Sequence, residues 1–163
     1  MLSIACRAEH LVFCFNNEID KSMNPEKFLV ERSNKVTPAE IIALRETEGV
    51  AGDSEEIWSS CLDQSLCTVI VRSSLTRQLV GMGQVTGNLR HAQLTDLSVK
   101  REYRNKGIGK LIGAELLKYV EENQILYVGL TFDKNDPWLK AAYEHYGFRQ
   151  IDFAMWLERS IKS

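Results

Sequence analysis

Leu94-Thr95-Asp96-Leu97-Ser98-Val99 leads through Lys100-Arg101-Glu102-Tyr103 into Arg104-Asn105-Lys106-Gly107-Ile108-Gly109-Lys110-Leu111-Ile112. A strand ends, a basic loop follows, and a helix starts on Gly-x-Gly. The start of a helix leaves backbone N–H groups without partners, and the helix dipole adds partial positive charge there. Glycine lets backbone approach a ligand closely. Arg104, Lys106 and Lys110 bring full positive charges to the same turn. Together these features suit a pyrophosphate. A P-loop is excluded, because Leu111 stands where Ser or Thr is needed and Arg104 where the first Gly is needed. A dinucleotide-binding turn could use Gly107, Gly109 and Gly113, but its glycines follow the strand directly inside a parallel βαβ unit. Here seven polar or charged residues separate Val99 from Gly107. A solvated basic turn before an ordinary helix is the bland reading.

Upstream, Cys67–Arg72, Gln78–Thr86 and Ala92–Val99 are rich in Val, Thr and Leu and are separated by short polar turns. Strands so closely spaced form an antiparallel meander. Before them, Thr37-Pro38-Ala39-Glu40 has the form of a capping box with Pro at the first helical position, and Gly49 is a stop. Asp53 with Glu56 repeats the start signal, with Ile57, Trp58, Cys61 and Leu62 as the expected apolar stripe. Residues 10–15 and 27–33 read as strands around a polar turn, Asn16 to Pro25. Downstream, a helix is expected from about Gly107 to Glu122, then a strand over Ile125–Phe132. A short helix follows, opened by Asp136-Pro137 and closed by Gly147, with strand-like residues at Phe148–Ile151 and Ala154–Glu158. The fold class is α+β, a mixed and mostly antiparallel sheet with a strand–helix–strand unit in its second half. The chain reads as one domain over residues 1–163, with an added N-terminal strand segment over about 1–33.

Arg104-Asn105-Lys106-Gly107-Ile108-Gly109 matches every defined position of R/Q-x-x-G-x-G/A, the central motif of the GNAT superfamily of acyl-CoA N-acyltransferases, which this segment resembles. Val99-Lys100-Arg101-Glu102-Tyr103 resembles the usual lead-in, with Arg101 where Pro is common. Ala141-Ala142-Tyr143-Glu144-His145-Tyr146-Gly147-Phe148 resembles the family's later helix, with Tyr143 at the tyrosine position. The family often carries Asn seven residues before that tyrosine; Asp136 stands there, with Asn135 beside it. The resemblance spans roughly residues 35–158. It implies a sheet with a central splayed strand pair, flanked by about four helices. It further implies acetyl-CoA as co-substrate, with its pantetheine arm along Leu97, Ser98 and Val99. The diphosphate would rest on the segment Arg104, Asn105, Lys106, Gly107, Ile108, Gly109 and Lys110, with Asn135 or Asp136 toward the arm.

Acetyl transfer from a thioester to an amine requires a deprotonated amine, close approach, a donor for the carbonyl oxygen and a proton for the departing sulfur. The resemblance gives that last task to Tyr143, whose phenol is protonated at neutral pH. Tyr143 could instead simply pack its helix, and Tyr146 is expected to pack. Asp96 is the sole carboxylate on the strand before the motif and is the candidate base; a capping or water-linked role is its alternative. Regular alternation would set Asp96 with Leu94 and Ser98 on one face and Gln93, Thr95 and Leu97 on the other. A backbone N–H near Val99 is the implied polariser of the carbonyl. His91 is expected in a turn and His145 in solvent.

Charge and composition narrow the remaining choices. Nothing in the net charge of −2 and pI near 6.0 suggests nucleic acid or an anionic membrane as the main partner. No stretch approaches the roughly 20 apolar residues of a membrane span. Cys6, Cys14, Cys61 and Cys67 match no metal or redox spacing, so no metal site is expected. They read as buried or half-buried free thiols in a reducing compartment, which makes the cytoplasm the expected location. The acceptor is an amine: Glu46, Glu48, Asp53, Glu55 and Glu56 around Trp58 could attract a polyamine, an arylalkylamine or a peptide N-terminus, or could simply be a solvated face. A homodimer is compatible with this reading. The rival function is a GNAT-like module that binds acyl-CoA without turnover.

Overall fold

In the computed structural model, residues 2–7, 28–47, 49–50, 53–132 and 137–151 are described, with backbone only at 2–7 and 137–138. The elements are β1 (Leu2–Arg7), β2 (Phe28–Arg32), α1 (Pro38–Glu46), α2 (Glu55–Gln64), β3 (Cys67–Ser73), β4 (Leu79–Gly87), β5 (His91–Val99), a 3₁₀ turn (Arg101–Tyr103), α3 (Ile108–Glu122), β6 (Tyr127–Phe132), α4 (Pro137–His145) and β7 (Arg149–Gln150). The sheet order is β2-β3-β4-β5-β6-β1-β7. Every pairing is antiparallel except β5 with β6. The mixed, mostly antiparallel α+β architecture with four helices is therefore as the sequence indicates. Residues 10–15, the Asn16–Pro25 turn and Ala154–Glu158 lie outside the described residues. The strand Leu2–Arg7 was not anticipated.

Two apolar layers cover the sheet. On one face, Ile108, Ile112, Leu116, Leu117 and Val120 of α3 pack on Val69, Val71, Val80, Val85, Leu94 and Val128. On the other, Ile41 and Leu44 of α1 and Trp58 and Leu62 of α2 pack on Ile70, Leu79 and Met82. Glycines on β4 set how near α3 can come. A Cβ on Gly83 would stand 2.7 Å from Ile112 Cγ2 and 3.0 Å from Leu116 Cδ1. A Cβ on Gly81 would likewise stand 2.9 Å from Ile108 Cγ2, so the same close seat holds the first turn of α3.

The helix starts follow their local chemistry. Thr37 caps α1 in a reciprocal capping box with Glu40, as its sequence requires. For α2 the cap is Ser54, whose hydroxyl accepts from Ile57 N–H, rather than Asp53. The apolar stripe expected on α2 is narrower than read: Trp58 and Leu62 are buried, while Ile57 and Cys61 are exposed. His91 is not in a turn. It opens β5 and stacks on Tyr127 of β6, ring centroids 4.9 Å apart.

β5 and β6 pair in register from His91–Tyr127 to Leu94–Leu130, and there the ladder ends. Beyond that point each strand follows its outer neighbour. Ser98 and Val99 stay with Met82 and Gly81 of β4, while β6 stays with β1 as far as Phe132. The register of β4 against β5 also slips: Gln84 faces Thr95 and Met82 faces Ser98, which inserts an extra residue at Asp96–Leu97. Asp96 takes φ +53°, the left-handed backbone of such a bulge. The bulge turns β5 away from β6, and a splayed pair results. It also overturns simple alternation on this strand. Leu94 and Leu97 both join the α3 layer, while Asp96 reaches Arg45 on the α1 side.

Candidate active site

The turn into α3 is built from three locally determined pieces. Tyr103 N–H and Arg104 N–H close the 3₁₀ turn on the carbonyls of Lys100 and Arg101, at 2.8 and 3.2 Å. Asn105 (φ +59°) and Gly107 (φ +78°) are then both left-handed. Gly107 is the N-cap of α3 and makes no side-chain cap bond. The first backbone bond of the helix is Leu111 N–H to Gly107 O, 3.1 Å. Among the described residues, the amides from Asn105 to Lys110 thus donate to no backbone carbonyl. Left-handed residues on either side of Lys106, beside orphan helix amides, form a concave nest for anions. Arg104, Asn105, Lys106 and Lys110 are exposed around it, and Gly109 has no outside atom nearer than 4.0 Å to a would-be Cβ. The nearest of those atoms belong to Leu97 and Val99, which line the diverging end of β5.

The side chains there have distinct occupations. Ile108 is 1% exposed in the α3 core, so only its amide can serve a ligand. Lys106 Nζ lies 4.8 Å from the Tyr103 ring centroid, a cation–π contact at the lip of the turn. Arg104 Nε donates to Val99 O at 3.1 Å, tying the basic loop to the end of β5. Ser98 is buried at 4% exposure. Asn135 and Asp136 lie outside the described residues.

Tyr143 lies in α4 on the α3 side of the sheet. Its ring sits 6.0 Å from that of Phe132, at the far end of β6, and 5.9 Å edge-on from Phe148. Burial, with a smaller contribution from Tyr146, pushes its phenol above the ordinary value, so it keeps its proton at neutral pH. Tyr146 is half-buried in the same layer and His145 is exposed.

Asp96 stands on the opposite side. Its Oδ1 accepts from Arg45 Nη1 at 3.2 Å. Arg45 Nε faces Asp53 Oδ2 at 3.3 Å, and the guanidinium carbon lies 5.1 Å over the Trp58 ring. Exposed Cys61 is nearby: burial and the charges of Asp96 and Asp53 push its thiol upward. One cation shared by two carboxylates leaves this face locally negative. Arg45 was not marked by its sequence context, because its partner on β5 lies 51 positions away and local patterns carry no trace of such pairing.

Among the described residues, no group of three or more His, Cys, Asp or Glu side chains could hold a metal. No helix among them is long and apolar enough to cross a membrane. A cleft of about 360 Å³, lined in part by His91, Gln93, Tyr127 and Gly129, marks the closed end of the β5–β6 pair.

The sequence model of the acetyltransferase (GNAT) family matches residues 33–148. Among solved structures, a probable acetyltransferase from meticillin-resistant Staphylococcus aureus aligns with TM-score 0.67 at 25% identity, covering 81% of this chain and 99% of its own. A GNAT-family protein of Streptococcus pneumoniae gives TM-score 0.66 at 19% identity, over 82% and 99% of the two chains. The ribosomal-protein-S18-alanine N-acetyltransferase of Escherichia coli gives 0.65 at 15%, over 75% and 77%. The latter two likenesses concern the fold alone. No curated protein sequence matches the chain.

Proposed function

The chain belongs to the GNAT acetyltransferase family, and we propose on that footing that it moves an acetyl group from acetyl-CoA to a primary amine by direct transfer in a ternary complex. The observation that carries this reading is the divergence of β5 from β6 beside amides that have no backbone partner. The residues present fit the co-substrate. Amides from Asn105 to Gly109, with Lys106 and Lys110, would hold a diphosphate, and the diverging Leu97–Val99 segment would lie along the pantetheine arm; the Arg104 amide, expected in that cradle, is instead taken by the Arg101 carbonyl. Acetyl-CoA supplies an acetyl group activated as a thioester.

The two candidate side chains approach the gap from opposite faces of the sheet. Tyr143 belongs to the α3 layer and Asp96 to the α1–α2 side. That arrangement suits a reaction in which thioester and amine arrive from different sides. The bound ammonium first gives one proton to solvent, which frees the nitrogen lone pair for attack, and Asp96 receives the second proton that the nitrogen sheds as the C–N bond forms. As the C–S bond breaks, Tyr143 gives its proton to the sulfur, and solvent returns a proton to the phenol. A backbone N–H near Val99 polarises the carbonyl. The shared negative charge of Asp53 and Asp96 favours a cationic acceptor, a small-molecule amine or a peptide or protein amine.

Release of CoA thiol in the presence of an amine panel tests this. Amine-dependent release establishes transfer. Thermal stabilisation by CoA without release would instead identify a binding module, and stabilisation by NAD(P)H but not CoA would identify a dinucleotide site.

A further inference from the structure

Arg45 holds three separate parts of the amine-side wall at once. It comes from the last turn of α1, its Nε faces Asp53 just before the cap of α2, and its Nη1 meets Asp96 on the β5 bulge. Beneath it, Trp58 is 3% exposed and forms a fixed floor. A guanidinium is a planar fork, and here its direction is set by the Nη1 hydrogen bond to Asp96 and the Trp58 ring under one face, with Nε drawn to Asp53 by charge without a hydrogen bond. Asp96 is the left-handed residue at the point where β5 leaves β6. Among the described residues, Arg45 is the cation that fixes the direction of its carboxylate, and it engages one oxygen only.

Arg32 supplies an internal comparison. It also pairs with two carboxylates, Glu115 (Nε, 2.8 Å) and Glu122, and lies over a ring, Tyr119 at 5.6 Å. That cluster joins β2 to the back of α3 and, among the described residues, touches no part of the candidate site. The same kind of network thus appears twice, once as plain scaffold and once on a candidate catalytic carboxylate.

Resting on the transfer reading above, we propose that Arg45 is a positioning residue for acetyl transfer. It holds the Asp96 carboxylate toward the incoming amine and keeps its second oxygen available, while taking no part in holding CoA, whose cradle is on the other face. Loss of Arg45 lets that carboxylate swing, and a displacement on the order of 1 Å can cost about a hundredfold in rate.

The test is a double-mutant cycle of Arg45→Met and Asp96→Asn, read as kcat/KM for the best amine among spermidine, tyramine and an alanine-initiated peptide, with CoA affinity and Tm measured alongside. Arg45→Met is expected to lower kcat/KM roughly ten- to hundredfold without changing CoA affinity. In the Asp96→Asn background it should cost less than about threefold, because interacting sites are non-additive. Arg45→Lys should restore part of the loss. Arg32→Met should lower Tm and leave kcat/KM alone. An equal loss in both backgrounds, or a loss of CoA affinity, overturns the proposal. Should Arg45→Met not fold, the same cycle with Arg45→Lys decides it. Absence of amine-dependent release from the wild-type protein is a different result: it removes the transfer reading itself, and the positioning role with it.

Discussion

Replacing Asp96 by Asn, Gly and Ala separates the backbone this residue adopts from the charge it carries. Asp96 has φ +53°, and its carboxylate meets Arg45 at 3.2 Å, with the two side chains 30% and 19% exposed. A partly exposed pair of this kind contributes about 1 kcal/mol. Asn accepts left-handed backbone much as Asp does, so Asp96→Asn should lose the pair alone, about 1 kcal/mol. Ala adds left-handed strain of about 1 kcal/mol, for a total of about 2 kcal/mol. Gly removes the strain but costs chain entropy of about 0.5–1 kcal/mol, so it should fall between the other two. For a chain of this size each kcal/mol moves Tm by about 2–4 °C, so thermal denaturation resolves the order Asn, Gly, Ala. Activity should not follow that order. If Asp96 accepts the amine proton, all three variants lose roughly a hundredfold or more in kcat, with CoA affinity unchanged. Wild-type kcat in Asp96→Asn would refute the base. A Tm for Asp96→Ala above that of Asp96→Gly would refute the strain.

Three further expectations follow from neighbouring features. Gly83→Ala should destabilise by about 1–3 kcal/mol, because its Cβ meets Ile112 and Leu116 inside contact distance, whereas Gly113→Ala, with nothing within 4 Å, should gain up to about 1 kcal/mol as a better helix former; a reversed order in thermal melts would contradict the close seating of α3. Tyr143→Phe should lower kcat roughly a hundredfold while CoA affinity holds, since the ring contacts with Phe132 and Phe148 survive; kcat at the wild-type level would remove the acid role. The Arg72 guanidinium, bonded through both nitrogens to Glu40, holds that carboxyl at about 2 instead of 4.5. A depressed folded-state value means stability present above about 4.5 and lost as pH falls toward about 2. Acid titration of Glu40→Gln should show a shallower loss over that window, with a neutral-pH deficit of about 1 kcal/mol for this partly exposed pair; an unchanged acid limb would argue against it.

What the sequence disclosed, and what it withheld, divides by range. Thr37-Pro38-Ala39-Glu40 announced its helix, because a capping box is closed within four residues and needs no tertiary partner. The turn Arg104–Gly109 was legible for the same reason: positive charge, a left-handed glycine and orphan amides are local properties. The family motif added the strand splay, which no local pattern at Leu94 or Leu130 predicts, because it depends on β5 following β4 and β6 following β1. The bulge defeated the reading of faces on β5: a strict period of two assigned Leu94 and Leu97 to opposite sides, and one inserted residue put them on the same side. His91 was misread because strand ends next to turns share turn composition. Arg45 stayed silent until the fold brought Asp53 and Asp96 to either side of it.

The account stands most directly on the amide resonances of Asn105 to Gly109, followed by NMR as CoA and then pantetheine, which lacks the diphosphate, are titrated in. Saturable shifts of those amides with CoA, absent with pantetheine, are the expected result. CoA binding that leaves those amides unmoved would contradict it.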